Sequence, residues 1–432
     1  MQSVTFGICN LTLRLDNTPD RLEHLTVELC HYFRRFQQRQ IFRSYQIHGQ
    51  RTAASQVWVQ NMSLYLGAAI GTAGGVLLPR LFAKRASAQR TTRATSVGAN
   101  PSAPDVIPVL SEKEYLRNLR SKRVEDPGFF ALYSSFAGGI VTDPALMNIP
   151  LDDHMVHRGH GVFDTATLVN GMLYGLDTHL ARFLESAKCA RIHHDFTKQR
   201  MMQIIEQTCS ASGKRDASVR YWMTTGPGDF SFVPYRCIEP CFYVMVFGGL
   251  PMDDEDLDKG ISEVTVKGVP MKPPLLATMK SNNYLLNCLT AMEATDRGGR
   301  FGILVDTDGT IGESCVMNVA FVNAGGVFVT PLFRNILSGT TVRKAMELAQ
   351  ALVETGELKG IEQRDVYESE AREAKEMILF AGDSHITPVT EWDGQKVGTG
   401  EAGPVFKALN ALLDEHIRIS STATQLRVRY VH

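Results

Sequence analysis

Lys280 stands in the run Lys-Ser-Asn-Asn-Tyr, between the apolar residues 273–279 and an apolar helical pattern. A lysine is usually a solvated surface charge. Enclosed by apolar chain, it loses pKa and becomes an amine nucleophilic toward an aldehyde. Further on, Glu313 ends a strand pattern and Asn318 follows five residues later. Alone, that carboxylate reads as a strand end in solvent. In a site, it can hold a heteroaromatic nitrogen protonated and so make the ring an electron sink. Gly339-Thr340-Thr341 opens an amphipathic helix. Such a start is an ordinary N-cap, or an anion site built from free N–H groups and hydroxyls. Arg182 lies early in a helix that follows Asp177-Thr178. It reads as a surface salt bridge, or as a fork onto a phosphate.

Other chemistries leave weaker traces. There is no G-x-x-x-x-G-K-[ST], no G-x-G-x-x-G and no G-x-S-x-G. Asp152, Asp153, His154, His157 and His160 could be metal ligands, but Gly159 and Gly161 argue against a helix that would group them. The pair Cys237-x-x-x-Cys241 has no matching second pair. No metal is expected.

The elements that must position these residues follow from periodicity. Apolar runs at 129–134, 219–224, 241–247 and 263–266 read as strands. Residues 178–192 read as a helix, with Leu180, Phe183, Leu184 and Ala187 on one face, and 198–211 as another. A helix is expected at 281–295 after the Pro-containing 269–274. Hairpins are expected at Asp308-Gly309, at 323–326 and at Asp393-Gly394. Helices at 341–352 and 404–416 complete the set. The expected organisation is a leader and linker over 1–108, a small α/β domain over 125–268, a larger domain over 272–418 and a tail over 419–432.

The leader is distinct. Residues 29–104 carry ten Arg and Lys and no acid, although the whole chain has a net charge of −1. The rest is therefore acidic and offers nucleic acid no basic field. The leader has the composition of a transit peptide. Its apolar stretch 63–79 also allows a short membrane anchor, and an unfolded leader is the third reading. The eight scattered cysteines read as buried thiols of a reducing compartment.

Taken in order, these landmarks resemble the fold-type IV pyridoxal-phosphate enzymes: branched-chain aminotransferases, D-amino-acid aminotransferases and aminodeoxychorismate lyases. The resemblance covers about residues 128–418. It rests on HRGHGVFDTATLVNGMLYGLDTHLARFLESA, KSNNYLLNCLTAMEA, DGTIGESCVMNVAFV, VTPLFRNILSGTTVRKAMELA and HITPVTEWDGQKVG. PLDDHMVHRGHGVFDTA and the GPGDF stretch look like the plant plastid D-amino-acid transaminase/aminodeoxychorismate lyase subgroup. The resemblance implies an α/β fold, with a small N-terminal domain and a larger pseudo-barrel domain that binds pyridoxal 5'-phosphate. It makes Lys280 the Schiff-base lysine, Arg182 the phosphate arginine and Glu313 the partner of the pyridine nitrogen. Gly339, Thr340 and Thr341 become the phosphate-binding helix start, with Asn318 and Ser384 as further cofactor contacts. Tyr284 would reach the cofactor's phenolic oxygen, and Phe163 and Arg220 would line the substrate side.

The chain also departs from the family pattern. Phe163 stands where D-specific bacterial enzymes have Tyr, and Thr225-Gly226 where they have Arg-Gly, so their carboxylate-reading arginine has no counterpart. Ser314 replaces a Gly, the family Arg shifts to Arg343, and the loop before Ile386 is one residue short. The implied function is amino transfer from an amino acid of D type to a 2-oxo acid, release of pyruvate from aminodeoxychorismate to give 4-aminobenzoate, or both. A branched-chain L-amino-acid aminotransferase is the alternative within the family. A non-catalytic membrane-tethered relative and a metal hydrolase on the histidine cluster are the alternatives outside it. A homodimer in a plastid or mitochondrion, soluble after loss of its leader, completes the expectation.

Overall fold

The computed structural model describes residues 2–6, 11–15, 107–123, 128–248, 259–382, 386–419 and 426–430. The chain falls into two compact units, Met1–Ile107 and Pro108–His432. In the first, β1 (Gln2–Phe6) and β2 (Leu11–Leu15) pair antiparallel. The apolar stretch 63–79, Cys9 and Cys30 lie outside the described residues. Among the described residues no helix is long and apolar enough to cross a membrane.

The second unit begins with α1 (Glu112–Lys122), a helix not expected above. A capping box starts it: the Ser111 hydroxyl accepts the Glu114 N–H, and the Glu114 carboxylate accepts the Ser111 N–H at 2.9 Å. Next come β3 (Phe129–Ser134), β4 (Gly139–Val141), α2 (His154–Arg158), β5 (Gly161–Val169), β6 (Met172–Tyr174), α3 (Leu176–Cys189), α4 (Lys198–Ser212), β7 (Ala217–Thr224) and β8 (Cys241–Phe247).

The helix α2 corrects the expectation that its glycines forbid one. Asp153 caps its N-terminus, and Gly159 sits just beyond its end at φ 67°, the left-handed position that terminates helices. Glycine there ends the helix rather than preventing it.

Strands β6-β5-β7-β8-β3-β4 form an antiparallel sheet in that order. Its side chains alternate with period two. Val219, Tyr221 and Met223 of β7 face the helices α3 and α4, where Leu180, Phe183, Ile204 and Ile205 bury against them. Each such side chain stabilises by roughly 1.5–3 kcal/mol. The alternate positions, among them Arg220, therefore point away from the helices. The register sets Thr165 opposite Arg220 and Phe163 opposite Trp222, so Phe163, Thr165 and Arg220 share that free face.

The second half continues with β9 (Ile261–Glu263), β10 (Thr265–Val266), α5 (Pro274–Ala277), α6 (Leu285–Asp296), β11 (Ile303–Val305), β12 (Ile311–Ser314), β13 (Asn318–Val322), β14 (Val327–Thr330), α7 (Thr340–Glu354), β15 (Gly360–Gln363), α8 (Glu368–Ala371), β16 (Glu376–Phe380), β17 (Ile386–Trp392), β18 (Gln395–Lys396) and α9 (Pro404–Ile419). The single strand expected at 263–266 is two. β9 joins a seven-stranded sheet on β17, and β10 joins β11 and β12 in a three-stranded sheet. The run 129–134 matches β3 residue for residue.

The seven-stranded sheet runs β15-β14-β13-β16-β17-β18. One face packs on α7 and α9 through Val342, Ala345, Phe406 and Leu409. Its other face buries Val319, Phe321 and Leu379 with Ile303 and Ile311 of the small sheet. Two hairpins turn at the expected dipeptides, with Gly309 at φ 83° and with Asp393 and Gly394 at 50° and 74°. Beyond α9 the chain returns to the first sheet as β19 (Leu426–Arg427), paired with β6. The expected tail thus supplies an edge strand. The architecture is mixed α/β.

Candidate active site

Lys280 is held mainly by backbone. The Phe163 N–H donates to the Lys280 carbonyl at 2.9 Å, and the Asn282 N–H donates to the Gly161 carbonyl at 2.9 Å. The Lys280 N–H donates to the Ser186 hydroxyl of α3 at 3.1 Å. These bonds extend the stretch after Met279 alongside β5, which is why α6 begins at Leu285 and not at the expected 281.

The Lys280 Nζ donates to the Tyr284 hydroxyl at 3.4 Å and lies 4.8 Å from the centre of the Phe163 ring. The two rings meet edge to face at 5.0 Å. Arg220 stacks 5.3 Å from the Phe163 ring, with its Nε on the Thr165 hydroxyl at 3.0 Å. Burial pushes the Lys280 amine down to about 8, and the Arg182 cation adds to the effect. The amine is thus far easier to deprotonate than a surface lysine. Burial holds the Tyr284 phenol well above its usual range.

One pocket is lined by Arg182, Lys280, Glu313, Asn318, Gly339, Thr340 and Thr341, together with Val316, Leu337, Phe380, Ala381 and Gly382. Seven of the sequence-predicted site residues therefore converge. Phe163, Tyr284 and Arg220 adjoin through Lys280. Ser384 lies outside the described residues.

The pocket has two chemically different ends. At one, Glu313 ends the hairpin β11–β12, its Oε2 accepting from the Asn318 Nδ2 at 3.1 Å and from the Leu337 N–H at 3.3 Å. Burial pushes its carboxyl up to about 7, while Lys272, the Leu337 N–H and Lys280 pull the other way. At the other end, α7 starts at Gly339 with no side-chain cap. The buried Thr340 hydroxyl has no hydrogen-bond partner, while the Thr341 hydroxyl donates to the Ala381 carbonyl. A Cβ on Gly339 would come within 1.9 Å of the Asn318 Oδ1. Only glycine brings the backbone this close. An uncapped helix start with an orphaned hydroxyl fits an anion such as a phosphate.

Arg182 lines this pocket with its fork already held within the protein. Its Nε and Nη2 both donate to the Asp164 carboxylate at 2.8 Å, and its Nη1 donates to the Ser338 carbonyl at 3.3 Å. The reason is Asp164, fully buried on the helix-facing side of β5, which needs a counter-charge. His179 joins it, with its Nδ1 3.0 Å from the Asp164 Oδ1. Burial alone would raise the Asp164 carboxyl. Arg182 and His179 outweigh burial and hold it well below the carboxylate range. Sequence reasoning missed Asp164 and His179. The available signals were a lone acid inside the apolar run of β5, and a His three residues before the Arg, hence on the same helix face.

Lys272 was also missed. Its Nζ lies 4.1 Å from the centre of the Tyr284 ring. The histidine cluster makes a different arrangement from a metal centre. His154 and His160 meet Nδ1 to Nδ1 at 3.0 Å, and their other nitrogens lie near the carbonyls of Ser231 and Ala190. Among the described residues no group of three or more His, Cys, Asp and Glu could hold a metal ion. Cys209, Cys241 and Cys315 are buried as expected, but Cys189 and Cys288 are exposed because they fall on the outer faces of α3 and α6.

The chain has known relatives. The chain is 44% identical over 354 residues to a chloroplastic D-amino-acid transaminase of Arabidopsis thaliana, covering 81% of this chain and 92% of that protein. It is 27% identical over 276 residues to a putative branched-chain-amino-acid aminotransferase of Methanocaldococcus jannaschii, covering 63% of this chain and 93% of that one. The branched-chain amino acid aminotransferase of Escherichia coli superposes with a TM-score of 0.63 at 23% identity, covering 70% of this chain and 100% of its own. That likeness establishes the fold. The family model for class IV aminotransferases matches residues 161–392, and the chain belongs to that family of enzymes.

Proposed function

We propose that this chain is a pyridoxal-phosphate-dependent aminotransferase that moves an amino group from a D-amino acid to a 2-oxo acid. The observation that carries the cofactor is the two-ended pocket, with an amine between a carboxylate and an uncapped helix start. Thr340, Thr341 and the N–H groups at the start of α7 would hold the phosphate. Arg182, fixed by Asp164, would add positive charge beside it. Glu313 would hold the ring nitrogen protonated, with Asn318 keeping that carboxylate in place. Tyr284 would reach the phenolic oxygen, and Lys280 would hold the group covalently through its Nζ.

The bound cofactor supplies an electron sink for the pair left on the substrate's Cα. The protein supplies the rest. Once the substrate's amino group has taken its place on the cofactor, the freed Lys280 Nζ would take the Cα proton, and burial, which lowers its pKa, favours the neutral amine that this needs. The Tyr284 hydroxyl orients that amine. Phe163 and Arg220 shape the substrate side. The D-amino-acid choice rests on the similarity to the chloroplastic transaminase, and plastid localisation on that similarity together with the basic leader. The active form is read as a homodimer, with its site where segments 125–268 and 272–418 meet.

The visible spectrum of protein starting near residue 106 tests this reading. A yellow protein that bleaches on adding D-alanine, and not on adding L-leucine, is the expected result. Bleaching by L-leucine alone would transfer the assignment to branched-chain aminotransfer. A yellow protein inert to both, yet releasing 4-aminobenzoate from aminodeoxychorismate, would transfer it to the lyase. A colourless protein that takes up no pyridoxal phosphate would end the cofactor assignment.

A further inference from the structure

Between β10 and α5 the chain reads Val269-Pro270-Met271-Lys272-Pro273-Pro274. A residue that precedes proline is confined to extended backbone, and Pro273 itself is extended, at φ −61° and ψ 151°. The segment is therefore stiff. It is also seated. The Met271 side chain lies directly on Gly312, where a Cβ would come within 2.4 Å of the Met271 Cε. The next residue, Lys272, stands close enough to Glu313 and Lys280 to feel both charges. There its ammonium reaches the Tyr284 ring.

Lys272 is half-buried, and among the described residues it makes no ion pair and no hydrogen bond. Its strongest attraction is to the Glu313 carboxylate, which stands beyond ion-pair distance, and Lys280 repels it. A half-buried cation without a partner is unfavourable unless something compensates it. The contact with Tyr284 compensates in part. On the reading proposed above, Glu313 is taken by a protonated ring nitrogen, and its attraction for Lys272 is cancelled. Lys272 then stands against the Tyr284 ring and near Lys280 with its charge unmatched. The ligand that arrives there is an amino acid or a 2-oxo acid, and it carries a carboxylate.

We propose that Lys272 is a specificity-determining residue that anchors a carboxylate of the substrate beside Tyr284. The inference rests on the cofactor reading. The anchored group is the α-carboxylate, or the distal carboxylate of a dicarboxylic acid.

The test compares the holoenzyme with its Lys272→Met and Lys272→Arg variants. The visible spectrum reports cofactor retention. KM and kcat are measured for pyruvate and for 2-oxoglutarate, and glutarate binding is measured by calorimetry. The expected Lys272→Met protein keeps its cofactor band, and its KM rises on the order of 10- to 100-fold, the loss of one charged hydrogen bond. Little change in kcat and recovery in Lys272→Arg are also expected. A rise for both acceptors assigns the α-carboxylate. A rise for 2-oxoglutarate alone, with weaker glutarate binding, assigns the distal one. Unchanged KM for both acceptors would overturn the proposal. So would a shifted band with KM intact, because Lys272 would then act through Glu313 or Tyr284. A wild-type protein that takes up no cofactor would instead remove the function reading, and this inference with it.

Discussion

The enclosure of Lys280 has a measurable consequence in the protein freed of its cofactor. Burial and the Arg182 charge bring the amine to about 8, from 10.5 for a free lysine. At pH 7.5 a group with that pKa is neutral in roughly a quarter of molecules, against about one in a thousand for an ordinary lysine. Competitive labelling of the apo-protein with an amine-reactive reagent, read by mass spectrometry over pH 6–11, measures this directly. Exposed lysines of the same digest serve as internal standards. Lys280 should reach half-reaction near pH 8, and Arg220→Met should raise that midpoint because a nearby cation is removed. The same shift has a stability sign. Between about 8 and 10.5 the native state binds fewer protons than the unfolded chain, so the apo-protein gains stability as pH rises through that window, by at most about 3 kcal/mol. A labelling midpoint near 10 would mean that water reaches the ammonium, and the argument from burial would fail.

Asp164→Asn leaves Arg182 enclosed without its counter-charge. Stability should fall by roughly 3–5 kcal/mol, read from the urea midpoint at neutral pH; an unchanged midpoint would show that the pair is hydrated. Gly339→Ala drives a Cβ into Asn318, with only 1.9 Å available. Cofactor affinity should drop tenfold or more, since such overpacking costs about 1–3 kcal/mol, and a titration that matches the parent protein would refute the close approach.

Much of this site was legible because local chemistry and sequence order sufficed. Asp308-Gly309 and Asp393-Gly394 encode their turns through left-handed backbone, and α3 and α7 announce themselves by one apolar face each. The order of Lys280, Glu313 and Gly339 along the chain anticipated that they would line one pocket. What escaped depends on tertiary burial. Asp164 looks like a lapse in an apolar strand until α3 brings His179 and Arg182 over it. Lys272 looks like a surface charge in a proline-rich connection until Met271 seats on Gly312. The start of α6 was placed early because nothing local reveals that the chain around Lys280 hydrogen-bonds to β5. The division of 261–266 between two sheets was equally invisible, since nothing local in Ile-Ser-Glu-Val-Thr-Val marks a break between two strands.

The backbone bonds around Lys280 tie it to β5 and α3, while Glu313 stands on β12 and Gly339 at the start of α7. The pocket is therefore a seam, and a molecule that grips both edges works as a clasp. Its binding free energy becomes cohesion between these elements, following the mass-action rule for any ligand that prefers the folded form. Sequence changes far from the pocket that loosen this seam should then show first as a paler protein, before any loss of fold.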